Sequence, residues 1–169
     1  MQQWQHWITL GNQAFSLHQQ QLAQQYYQQA LADVWPVWYH CAFVECPVEL
    51  NTDEAALPTH CLAVTLLNLA ESYASQQRWR RCRRTLKQGL YWFEQMLDGG
   101  DSAHPATVAV LMHQSKLLLV SQLMEQRQLL ALSEQQFARH GETNHTTTFG
   151  FAGNQHPSGL TSATVNYLH

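Results

Sequence analysis

Through most of the first 139 positions, apolar residues recur at three- and four-residue steps, and short polar turns break the rhythm. Trp7, Leu10, Ala14 and Leu17 fall on one helix face. After His18-Gln19-Gln20-Gln21, the residues Ala23, Tyr26, Tyr27, Ala30 and Leu31 do the same. Gly11 and Ala23 are small where two helices must approach closely, and Pro36 marks the expected end of a first hairpin, 4–36. Residues 37–60 then interrupt the period. This insertion begins apolar and turns polar around Pro47, Asn51, Asp53 and Pro58, which reads as an exposed connection.

The pattern resumes in a second hairpin, 61–97. Its first helix ends at Tyr73, a turn covers Ala74-Ser75-Gln76-Gln77, and a second helix runs past Cys82, Leu86 and Gly89 to Leu97. Asp98-Gly99-Gly100-Asp101 stops it. His104-Pro105 opens a third apolar segment with Val108, Leu111, Leu118 and Val120, expected to form a hairpin over 105–139 whose second helix, from about Gln122, caps the stack. Residues 140–169 carry one charged side chain, Glu142, among many Gly, Thr and Asn, and show no helical period. They read as a polar, disordered tail, with Thr161–Leu168 able to pair as a strand if a partner edge is offered.

The positions Trp7, Leu10-Gly11, Ala14, Ala23, Tyr27, Ala30 and Pro36 resemble the 34-residue tetratricopeptide repeat of small bacterial proteins. Ala14 departs from the usual Tyr, and Pro36 sits one position late. Leu69-Ala70, Tyr73, Cys82, Leu86 and Gly89 match the same signature more loosely, and the His104-Pro105 start is similar to the longer repeats of kinesin light chains. The resemblance implies an all-α superhelix of about three such hairpins, with a capping helix and a flexible C-terminal tail.

It also implies a concave groove lined by the first helix of each hairpin. By repeat position the lining is Gln5, Ile8, Asn12 and Phe15, then Val64, Leu67, Asn68 and Glu71, then Ala109, Met112, His113 and Lys116. Asn12 and Asn68 match two asparagines of the carboxylate clamp found in some family members. The clamp's cationic positions fall on Ile8, Ala109 and His113, so an uncharged peptide or an amphipathic helix suits the groove better than a charged chain end. The function expected is that of a protein-interaction adaptor. The alternatives are a small chaperone-like subunit shielding a client protein and a nucleic-acid-associated factor.

Composition modifies this picture in three places. Eleven of the first 29 residues are Gln, a good helix former, while charged residues make up 12% of the chain. The net charge of −3 favours neither nucleic acid nor membrane as a partner, and with no secretory signal and no apolar run of membrane length, a cytoplasmic protein is expected. Six of the nine basic residues nevertheless cluster at Arg78, Arg80, Arg81, Arg83, Arg84 and Lys87. They are expected on a solvated outer face, paired with Glu45, Glu49, Asp53 and Glu54 or turned to an acidic partner. Cys41, Cys46, His60 and Cys61 make only a weak zinc pattern, and reduced thiols are the simpler reading. No Gly-rich phosphate loop, nucleophile elbow or paired-His metal motif appears, so neither enzyme activity nor a cofactor is expected. Trp35, Trp38 and Tyr39 read as an exposed apolar patch suited to a homo-oligomer.

Overall fold

The computed structural model describes residues 1–44, 52–99 and 105–143, and over these the chain is all-α. Its helices are α1 (Gln2–Ser16), α2 (Gln20–Phe43), α3 (Thr52–Ala74), α4 (Trp79–Gly99) and α5 (Pro105–Thr143). The chain divides into a unit Met1–Ser133 and a second unit Glu134–His169, in which residues 134–143 are helical.

Two turns of one construction set the first four helices. His18, after α1, adopts φ 58°, and Gln77, after α3, adopts φ 57°. The next amide in each case reaches back five residues, Gln19 N–H to the Ala14 carbonyl and Arg78 N–H to the Tyr73 carbonyl, both at 2.9 Å. Inner bonds from His18 to Phe15 and from Gln77 to Ala74 complete the paired closure that satisfies a helix's last carbonyls. The left-handed residue costs roughly 1 kcal/mol where it carries a side chain. Both turns accept that cost with a polar residue instead of glycine.

Packing follows chain order, α1 on α2, α2 on α3 and α3 on α4. Gln24 donates to the Ser72 carbonyl at one end of α2 and the Trp38 indole to Thr59 Oγ at the other, so α2 and α3 are antiparallel. Arg83 bonds Gln128 and Gly89 faces Leu117, which makes α4 and α5 antiparallel as well. Trp4 with Thr65 and Asn12 with Asn68 tie α1 parallel to α3. His60 with His113 and Glu71 with Arg127 tie α3 parallel to α5. The core comprises Tyr27, Val34, Trp38, Leu62, Leu66, Leu86, Phe93 and Leu117, all essentially excluded from solvent.

Gly11 shows why a residue without a side chain sits in α1. A Cβ there would lie 2.6 Å from Tyr27 Cδ1, and the ring has no room to retreat because its hydroxyl donates to Asn12 Oδ1 at 2.9 Å. Alanine gains roughly 1 kcal/mol of helix propensity, while overpacking costs about 1–3 kcal/mol. Gly11→Ala is therefore expected to destabilise the fold by about 1 kcal/mol in urea unfolding. Gly99→Ala, where a Cβ meets nothing within 4 Å, should cost nothing measurable.

Three expectations are corrected. The first hairpin does not end at Pro36, because α2 continues to Phe43. Proline removes one amide and leaves one carbonyl without its helical partner, a loss offset here by Val34 and Trp38, which anchor the helix on either side. The interruption at 37–60 shrinks accordingly: α3 already starts at Thr52 and carries Pro58 within it, and residues 45–51 lie outside the described residues. The third hairpin, 105–139, is instead the single helix α5, which also takes in residues 140–143. From Ala106 to His140 the sequence holds no Gly or Pro to end a helix. The expected tail and its strand otherwise lie outside the described residues.

Candidate functional site

Of the twelve positions expected to line a groove, only some are available to a ligand. On α1, Ile8 is buried, Gln5 is exposed, and Asn12 and Phe15 are half-buried. Val64, Leu67, Asn68 and Glu71 on α3 are all half-buried. On α5, Ala109 and His113 turn into the packed interior, while Met112 and Lys116 are exposed.

The polar members of this surface bond to one another. Asn12 Oδ1 accepts both from the Tyr27 hydroxyl and from the Asn68 amide, the latter at 3.3 Å. Glu71 receives Arg127 Nη1 on both carboxylate oxygens at 2.9 Å. The asparagine pair thus acts as a clasp between α1 and α3, with its bonding capacity partly used. Phe15, Val64, Leu67 and Met112 remain as apolar side chains with solvent access.

His113 was expected at the groove, yet its ring is 7% exposed and its Nε2 lies 3.2 Å from His60 Nδ1. Burial, helped by His60 and Lys116, pushes the His113 pKa down from 6.5 to about 4, so the imidazole is neutral at neutral pH. Its Nδ1 is buried without a hydrogen-bond partner among the described residues. Two imidazole nitrogens converge here, but among the described residues no third His, Cys, Asp or Glu joins them as a metal-binding group.

Among the described residues the weak zinc candidates form no group of three potential ligands. His60 is exposed beside His113, Cys41 is half-buried on α2, and Cys46 lies outside the described residues. Cys61 is buried, and burial pushes its thiol up to about 12; burial likewise takes Cys82 up to about 11. Neither is a ready thiolate.

The basic cluster lies on α4 and in the turn before it. Arg78 donates to Gln24, and both Arg78 and Arg81 stand over the Tyr73 ring, at 5.6 and 5.9 Å. Arg83 is held by Gln128. Arg80, Arg84 and Lys87 are exposed and, with Arg83, Gln88 and Tyr91, line a shallow depression. Among the described residues none of the six cluster cations makes an ion pair. The expected acidic partners Glu45 and Glu49, and the side chains of Asp53 and Glu54, lie outside what is described.

The tryptophan patch is also corrected. Trp38 is 1% exposed and Trp35 packs against Trp92, the rings tilted by 38° with centroids 4.0 Å apart, leaving only Tyr39 of the three exposed. The large uncovered apolar surface lies instead on α5, where Val108, Leu111, Met112, Leu118, Leu119 and Leu123 face away from the packed side. Its signal was in the sequence, since apolar residues from Val108 to Leu123 fall on every side of the helix, with Gln114, Ser115, Lys116, Ser121 and Gln122 among them. Among the described residues no helix is long and apolar enough to cross a membrane. Compared with protein-family models, curated proteins and solved structures, the chain matches none.

Proposed function

We propose that this chain is a non-enzymatic interaction module whose α1, α3 and α5 together hold a segment of another protein, an uncharged peptide or one face of an amphipathic helix. The observation that carries the reading is the internal pairing of the surface's polar groups. Asn12 bonds Asn68 and Glu71 bonds Arg127, so Phe15, Val64, Leu67 and Met112 are what a ligand would cover. Such a surface suits apolar anchors at helical spacing better than a charged chain end. The resemblance to tetratricopeptide repeats points the same way.

The test is affinity capture by the full chain and by Leu67→Glu, with circular dichroism as the control for folding. A carboxylate in the middle of an apolar contact must be desolvated on binding, and loss of the captured proteins by tenfold or more is expected. Retention of the same proteins by a folded Leu67→Glu chain would refute the reading.

A further inference from the structure

We propose that the outer face of α5 is a contact between two copies of this chain, their α5 helices packed antiparallel about a two-fold axis beside Ser121. This surface shares Met112 with the one assigned above to a foreign partner and otherwise uses different residues.

Within residues 105–133, α5 has two apolar sides. The inner one, Ala106, Val110, His113, Leu117, Val120 and Met124, steps by four and three and is buried. Half a turn away stand Val108, Leu111, Met112, Leu118, Leu119 and Leu123, continued by Leu129 and Leu130, which are 66% and 64% exposed. A helix that is apolar all round is ordinarily covered on every side. Here α3 and α4 cover one.

Three properties of the outer face identify a second copy as its cover. The first is size. At the exposures found, these eight side chains present on the order of 700 Å², close to the ~800 Å² that each partner contributes to a specific interface. The second is symmetry. A two-fold axis beside Ser121 sets Met112 against Leu130 and Leu119 against Leu123 of the other copy, so apolar positions of the face meet one another, as a closed dimer requires. The third is charge. Ser115, Gln122 and Gln126 lie between the apolar stripes, Lys116 falls opposite Gln126, and the adjacent Arg127 is already paired with Glu71 of its own chain.

Sedimentation of the full chain tests this. A two-chain species is expected at micromolar concentration. Leu119→Glu combined with Leu130→Glu, both at exposed positions, should weaken association roughly a hundredfold or more with helicity unchanged. Orientation is read by maleimide crosslinking in a background carrying Cys41→Ser and Cys46→Ser. Met112→Cys chains should join Leu130→Cys chains, and neither should join itself.

A single-chain wild type overturns the proposal, whether residues 144–169 or a foreign protein then covers α5. So does a dimer that the double variant leaves intact, or one that crosslinks Met112→Cys to itself. Leu67→Glu should leave the dimer unchanged, so failure of this contact and failure of the partner-binding surface are separately visible.

Discussion

Trp38→Ala is expected to lower the unfolding free energy by about 3–5 kcal/mol, a large part of what a domain of this size possesses. The indole is 1% exposed, with Trp35, Phe43 and Phe93 ring centroids within 5.4, 5.7 and 6.0 Å. Truncation removes the largest fully buried side chain among the described residues and opens a cavity between α2, α3 and α4. It also strips the buried Thr59 hydroxyl of its indole donor, which stands at 3.2 Å. Trp38→Phe keeps part of the volume and loses the donor, so it should fall between wild type and Ala. Urea unfolding followed by circular dichroism measures both. A loss below about 1 kcal/mol for Trp38→Ala would mean that the aromatic cluster does not anchor the far end of α2.

Acid should weaken the fold through His113. Its folded pKa of about 4 lies below the ordinary 6.5, so between these values the unfolded chain binds a proton that the folded chain refuses. The stabilisation is therefore complete above pH 6.5, declines as pH falls through the window, and is exhausted below about 4. A shift of this size would correspond to roughly 3 kcal/mol, and the neighbouring exposed His60 brings solvent that reduces it to about 2 kcal/mol. His113→Gln removes the titration. Subtracting its pH profile from that of wild type should leave a step confined to that window, measured by urea midpoints from pH 7.5 to 4. Parallel profiles would show that the buried ring does not control acid sensitivity.

Much of this architecture is legible in the sequence, for local reasons. The spacing Gly11, Ala14, Ala23, Tyr27 and Ala30 encodes a close helix pair because small residues at helical steps admit a neighbouring ring. The turns after Leu17 and Ala74 announce themselves by their polarity. Where local rules failed, packing overrode them. Proline ordinarily ends a helix, yet Val34 and Trp38, buried on either side of Pro36, carry α2 past it. The His60–His113 pair escapes inspection because its members stand far apart in the chain and meet only when α3 and α5 align.

The site was harder to read, since groove positions assigned by repeat spacing do not reveal which side chains bond to one another. Asn12 and Asn68 illustrate this: as letters they suggest ligand-binding amides, and in the fold they hold two helices together. On α5 the difficulty was an excess of signal. With apolar residues all round, periodicity alone could not say which side faces the core, nor that the other is left over.

The matched turns at His18 and Gln77 bear on how the molecule comes into being. Each closes a hairpin from adjacent helices, and packing runs from one helix to the next, so the contacts are short in sequence separation and favour rapid folding. During synthesis α1 and α2 can close first, and each later helix finds its predecessor in place. The last of the described helices to emerge, α5, meets a finished surface on one side only. Its remaining side is the first opportunity this chain has to recognise something other than its own recent past.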